Sequence, residues 1–267
     1  MATAAIVVPC YNEAERLDGG QFQEFICPSH DVRFMFVNDG STDGTLGLLQ
    51  SLKEFNPRKF MILDSSRNSG KGEAVRQGLL AAIASQPDYV GFWDADLATP
   101  LEAITSFLDL AESRPDLEVI IGSRVKLLGR RIDRRATRHY LGRIFATAVS
   151  LALRLDVYDT QCGAKLFRVS PSIHVLFSEP FHSRWIFDVE IIARLIQNRR
   201  GKELPQAENV IYEFPLMSWR DVPGSKLEYG DFFKSSWELT RIYRIYLRGN
   251  GNAGRLESLW SHMRHHP

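Results

Sequence analysis

The sequence is poor in cysteine. Cys10, Cys27 and Cys162 form no close-spaced pair, which excludes a CxxC metal site and a disulfide framework and fits a reducing compartment. A long apolar run is also missing. The longest stretch, residues 144–153, falls well short of the roughly 18 residues that span a bilayer, so any membrane contact is expected to be peripheral. The N-terminus has no basic leader and reaches polar residues too soon for a signal peptide. A cytoplasmic protein is therefore expected, peripheral at the cytoplasmic face of a membrane at most. Charge of one sign is not in excess either: 33 Lys+Arg against 32 Asp+Glu give no global reason to expect nucleic acid as a partner. Repeats and long low-complexity segments are absent, and only residues 249–254 read as a flexible linker before a polar tail.

What remains is an ordinary globular composition. A chain of 267 residues with 44% hydrophobic content can bury one sizeable α/β core or two small ones. Short apolar, β-branched runs at residues 5–8, 33–37, 60–63, 89–93 and 119–121 read as buried strands. Helical patterns fall between them near 43–55, 71–85 and 100–113, with Thr42 and Asp43 placed to cap the first and Pro100 at the first turn of the last. That rhythm implies βαβ units on a mostly parallel sheet, with its ligand crevice at the carboxyl ends of the strands. Beyond residue 124 the pattern changes to a basic stretch, a helix near 137–154, a strand at 164–168 and a helix near 186–199.

The polar residues that end these strands carry the chemistry. Asp94-Ala95-Asp96 places two carboxylates where an apolar strand stops, and oxygen ligands of that kind suit Mg²⁺ or Mn²⁺. A DxD alone is weak, since roughly one is expected by chance in a chain with sixteen Asp; its position is what gives it weight. Asn38-Asp39-Gly40-Ser41-Thr42-Asp43-Gly44 follows the second strand, where glycines permit a tight turn beside a ligand and Asp39 can accept hydrogen bonds from a base or ribose. The same loop could serve only to cap a helix, and Asp43 is the more structural of its two acids. Pro9-Cys10-Tyr11-Asn12-Glu13 ends the first strand, with Tyr11 able to stack on a planar base or simply to pack, and Glu13 able to bind ribose hydroxyls. Lys71, between Gly70 and Gly72 at a helix start, suits an anion, although the segment is not a P-loop.

Together these four segments resemble glycosyltransferase family 2, and the resemblance implies a GT-A (Rossmann-like) fold with a mostly parallel central sheet flanked by helices and C-terminal acceptor-side helices. It implies a single domain over residues 1–248, with a nucleotide-sugar half at 1–124, an acceptor half at 125–248 and a flexible tail at 249–267. By the same resemblance Pro9, Tyr11, Glu13, Asp39, Lys71, Asp94, Ala95 and Asp96 form the donor site, with Asp96 and Asp94 on Mg²⁺ or Mn²⁺. Three further stretches are similar to the eukaryotic dolichyl-phosphate β-glucosyltransferase branch of that family: residues 159–167 around Gln161, Cys162 and Gly163, residues 184–190 around Asp188, and Trp219 followed by Gly224-Ser225-Lys226-Leu227. Ala98 stands where mannosyl relatives carry a Gln metal ligand, so water or donor oxygens are expected to complete the shell.

The branch resemblance implies inverting transfer of glucose from UDP-glucose to a polyprenyl phosphate. It places Asp94, Asp96, Arg124, Asp188 and Lys226 in the catalytic set, and Arg124, Arg138, Gln161 and Lys226 on the acceptor phosphate. The alternatives are mannosyl transfer from GDP-mannose, or a soluble hydroxyl acceptor served by Asp188 as general base. Eukaryotic members of the branch carry an N-terminal membrane segment that this sequence does not show. Two peripheral features stand in its place. Lys126, Arg130, Arg131, Arg134, Arg135, Arg138 and Arg143 lead into the apolar run 144–153, and Phe232, Phe233, Trp237, Tyr243 and Tyr246 mix with Arg241, Arg244 and Arg248. Such mixtures suit an anionic lipid surface, or a solvated face over a core helix. A GxGxxG match at Gly249, Gly251 and Gly254 and the histidines at 262, 265 and 266 are set aside, because neither stands in the context its chemistry requires.

Overall fold

The computed structural model describes residues 1–133, 136–222 and 230–248, the side chains of 136–141 and 230–233 excepted. Seven strands form the central sheet: β1 (Thr3–Cys10), β2 (Asp31–Asp39), β3 (Phe60–Ser65), β4 (Tyr89–Trp93), β5 (Val119–Ser123), β7 (Ala164–Arg168) and β8 (Ile211–Pro215), while β6 (Arg131–Asp133) lies apart. Their order is β3-β2-β1-β4-β7-β5-β8, and every pairing is parallel except those of β7, which runs antiparallel between β4 and β5. β6 instead pairs in parallel with β9 (Ser218–Arg220) in a two-stranded ribbon. The helices are α1 (Gly19–Glu24), α2 (Thr45–Phe55), α3 (Lys71–Ile83), α4 (Glu102–Ser113), α5 (Ala136–Leu153), α6 (Pro171–Ser178), α7 (Phe187–Arg199), α8 (Ala207–Val210) and α9 (Gly230–Ile242).

The strands are apolar on both sides because both faces are covered. Alternate residues divide between two cores, as the period of two requires. Ile6, Val8, Phe34, Phe36 and Trp93 pack with Phe22 of α1, Leu49 of α2 and Phe107 of α4. Val7, Met35, Val37, Val90 and Phe92 pack with Val75 and Leu79 of α3, Val149 of α5 and Phe187 of α7. Gly78 lets α3 lie close against the sheet, since a Cβ there would come within 2.4 Å of Val7 and 2.7 Å of Val37. The expected strands and helices of the first half are all present, with β1 and β2 longer at both ends than their apolar centres.

The second half holds elements that the sequence reading leaves out. β8 is a half-buried edge strand, the β6–β9 ribbon joins segments far apart in sequence, and α6 starts at Pro171 behind a Ser170 cap whose hydroxyl accepts from Ile173 N–H at 3.2 Å. Among the described residues no helix is long and apolar enough to cross a membrane. One surface assignment needs correcting: Tyr246 is buried, its hydroxyl donating to Glu190 at 2.8 Å, so it belongs to the core and not to an exposed basic-aromatic face. Trp237 and Tyr243 remain exposed, as do Ile144 and Leu151 of α5. Arg134, Arg135, residues 224–227 and the tail lie outside the described residues, as do the side chains of Arg138, Phe232 and Phe233.

Candidate functional site

The carboxyl ends of β1, β2 and β4 lie side by side, so the loops that leave them meet at one edge of the sheet. These loops are tied together. Asn12, with φ of 53°, donates its backbone N–H to Ser41 Oγ at 3.0 Å and accepts from Thr42 N–H at 2.9 Å, while Glu13 N–H reaches Thr45 Oγ1 at 2.8 Å. Asp43 accepts from the backbone N–H groups of Thr45 and Ala14 and so ties two loops together, but the N-cap of α2 is Gly44 and no side chain caps it, so neither Thr42 nor Asp43 plays the expected capping part. Asp39 is buried and accepts from Ser69 N–H at 2.7 Å and Gly70 N–H at 2.8 Å, so its carboxylate fastens the loop after β3 to β2. Gly40, with φ of 65°, sits where a Cβ would meet the Arg67 backbone at 2.4 Å. Pro9, near the end of β1, and Tyr11, in the loop that follows, are half-buried.

Asp94 and Asp96 emerge from β4 with buried Ala95 between them. The Asp94 N–H donates to Gly163 O at 2.9 Å, and the neighbouring strand leaves room for no side chain: a Cβ on Gly163 would lie 2.0 Å from Asp94 Oδ2. Each acid meets a cation from a different loop. Lys71 Nζ lies 2.6 Å from Asp94 Oδ1, and Arg16 Nη2 lies 3.2 Å from Asp96 Oδ2, with Arg16 Nε also 3.4 Å from Glu13. Ala98 N–H donates to Asp96 Oδ1 at 3.1 Å. Burial, and then the charge of Asp94, raise the Asp96 carboxyl above its ordinary range. For Lys71 burial opposes the charged form, but Asp94, Asp188 and Asp96 outweigh it and raise the ammonium. Lys71, expected to face an anion, is thus held by an acid.

Two neighbouring carboxylates, each countered by a cationic side chain from another segment, form an oxygen-only donor set that a hard divalent cation fits. Among the described residues no group of three or more His, Cys, Asp or Glu gathers to hold a metal.

Arg124, whose guanidinium feels the charge of Asp94, forms a paired salt bridge with buried Asp159, Nε at 2.6 Å and Nη2 at 2.7 Å, and lies 5.2 Å from the Trp219 ring centre. Asp159 is fixed in turn, its backbone N–H and that of Tyr158 each donating to Glu213 at 2.7 Å. Gln161 donates its backbone N–H to Asp159 at 3.2 Å, and its Nε2 is buried with no hydrogen-bond partner among the described residues. Asp188, in the first turn of α7, is ion-paired with the ammonium of Lys165, which also donates to Cys162 O at 2.8 Å. The Arg138 side chain and Lys226 are not described.

Arg16 is not singled out in the sequence, and Asp159, Gly163 and Lys165 enter there only within the stretch 159–167 that carries the family resemblance, with no role of their own. A lysine inside the apolar strand 164–168 was a usable signal, because a buried lysine requires a partner. Arg16 offered none beyond its place three residues after Glu13.

The family model for glycosyl transferase family 2 matches residues 5–176. A dolichyl-phosphate beta-glucosyltransferase of Saccharomyces cerevisiae is 33% identical, the match covering 92% of this chain and 75% of the yeast protein. One of Dictyostelium discoideum is 32% identical over 91% of this chain and 74% of its own. In fold, the chain is similar to glucosyl-3-phosphoglycerate synthase from Mycobacterium tuberculosis in complex with Mn²⁺, uridine-diphosphate and glucosyl-3-phosphoglycerate, with a TM-score of 0.63, 17% identity and coverage of 90% and 78% of the two chains.

Proposed function

The chain belongs to glycosyltransferase family 2, and from that premise we propose that it moves glucose from UDP-glucose to a polyprenyl phosphate of dolichyl type, with inversion at the anomeric carbon. The observation that carries this reading is the convergence of Asp94 and Asp96 with Lys71 and Arg16 at one sheet edge, flanked by an Arg124 that Asp159 holds in place. The donor half is residues 1–124. Tyr11 and Glu13 hold the nucleoside with Asp39, Pro9 and Ala95 shape its floor, and Asp94 and Asp96 hold Mg²⁺ or Mn²⁺. A bound divalent cation neutralises charge on the departing nucleoside diphosphate.

The acceptor half, residues 125–248 with Arg124 at its threshold, works by positioning. The bond from the anomeric carbon to the diphosphate oxygen breaks as one to an acceptor phosphate oxygen forms. A phosphate arrives already anionic, so it needs a fixed cation more than a base. The pair with Asp159 uses Nε and Nη2 of Arg124 and leaves Nη1 for an acceptor oxygen, with Gln161 Nε2, Arg138 and Lys226 as its further donors. Asp188, engaged by Lys165, orients that ammonium. Exposed Ile144, Leu151 and Trp237, near Arg143, Arg241 and Arg244 in sequence, supply a peripheral contact with the cytoplasmic face of a membrane.

The test is a donor-by-acceptor assay with Mg²⁺ or Mn²⁺, offering UDP-glucose or GDP-mannose to a short polyprenyl phosphate and to soluble sugars. Glucose should appear on the lipid phosphate and vanish in Asp96→Asn. Incorporation from GDP-mannose alone overturns the sugar assignment, and products confined to soluble hydroxyls overturn the acceptor.

A further inference from the structure

Arg16 lies between two acids. Its Nε lies 3.4 Å from Glu13 Oε2 and its Nη2 3.2 Å from Asp96 Oδ2, so one guanidinium bridges the acid assigned to the nucleoside and the acid assigned to the metal. The other oxygen of Asp96 is already taken by the Ala98 N–H. Asp94 has its own counter-ion in Lys71. The Asp96 oxygen that does not accept from the Ala98 N–H is the one Arg16 meets. A divalent cation entering alone must displace Arg16 from Asp96 and lie beside Lys71, against the repulsion of both cations. Arriving with a nucleoside diphosphate, it brings its own negative charge, and the ribose competes for Glu13 at the same moment. One displacement of Arg16 then serves both ligands.

We propose that Arg16 is a positioning residue that gates the metal site, withholding Asp96 from free divalent cation and releasing it to a metal–nucleoside diphosphate complex. The gate couples the two ligands, and the coupling is reciprocal: whatever factor the nucleotide adds to metal affinity, the metal adds to nucleotide affinity. The inference rests on Asp94 and Asp96 as the metal site, so its test separates the two claims.

Mn²⁺ binding to the full chain is measured by electron paramagnetic resonance of the free ion, with and without UDP, and needs no turnover. Wild type should bind Mn²⁺ weakly alone and at least tenfold more tightly with UDP. Arg16→Ala should tighten binding of Mn²⁺ alone by about fivefold, the size of a partly exposed ion pair that no longer has to be broken, while Arg16→Lys stays near wild type. Arg16→Gln, checked by thermal melting, serves if the alanine variant does not fold. Unchanged affinity for Mn²⁺ alone in Arg16→Ala and Arg16→Gln, with the UDP effect intact, overturns the gate and spares the metal site. Wild-type Mn²⁺ binding by Asp96→Asn in the presence of UDP overturns the site and the gate together.

Discussion

Asp188 and Lys165 meet in the interior, the lysine fully buried against the Phe92 ring and the aspartate at the first turn of α7. Removing one member of a buried pair costs about 3–5 kcal/mol because the other is left uncompensated. Asp188→Ala should therefore lower the melting temperature by roughly 10 °C. Asp188→Asn keeps an oxygen for the ammonium and gives a cleaner reading of chemistry. With a phosphate acceptor it should retain turnover within about tenfold, whereas a hydroxyl acceptor served by a general base would lose roughly 10²–10⁴. Steady-state rates of the asparagine variant on both acceptor types decide between the two. A hundredfold loss on polyprenyl phosphate would return Asp188 to the role of base.

At the scale of elements, β7 does most to set the site. Among the described residues it is the one antiparallel strand of the central sheet, inserted between β4 and β5, and its approach brings Gly163 against Asp94 and Lys165 against Asp188. A methyl at 163 would fall 2.0 Å from Asp94 Oδ2, so Gly163→Ala should push Asp94 aside while leaving the two cores intact. Displacements of that order cost about a hundredfold in rate. The expected result is a normal circular dichroism spectrum and melting curve with kcat/KM lowered by about that factor; an active variant would show that Asp94 has room to spare. The strand itself was legible at 164–168, and so were the first five, because a strand covered on both faces is a continuous apolar run bounded by turn residues. The four loops were legible for the same reason, each being the polar stop to such a run. β8, with Glu213 and Pro215 in a half-buried edge, carries no such run, and the β6–β9 ribbon is three residues a side joined across a long stretch of chain. Pairings of that kind leave no local pattern. Nor could the sequence show that Asp39 would fasten the loop at 69–70, since a carboxylate that can bind a ribose can equally bind two backbone amides.

At the scale of the molecule, buried phenols tie the two cores to their outer helices. Tyr89 of β4 donates to Glu112 of α4 at 2.7 Å, and Tyr246, in the closing π-helical turn Tyr243–Leu247, donates to Glu190 of α7 at 2.8 Å while accepting from Arg194 at 3.2 Å. Burial, followed by the hydrogen bond to the neighbouring carboxylate, pushes each hydroxyl up to about 12. The unfolded chain releases the same protons near pH 10, so between about 10 and 12 the unfolded state binds fewer protons than the folded one and stability falls as pH rises. The contribution is whole below pH 10 and is lost as the pH climbs through about 12, at roughly 1.4 kcal/mol per pH unit for each tyrosine. Urea midpoints measured from pH 8 to 11 should hold level and then drop. Tyr89→Phe and Tyr246→Phe should each remove part of that drop at some cost in stability at pH 8, where a carboxylate loses its donor. A double variant that loses stability above pH 10 as steeply as wild type would show that alkaline unfolding starts elsewhere, with the lysine ammonium groups, Lys71 among them, as the next titrating class to examine.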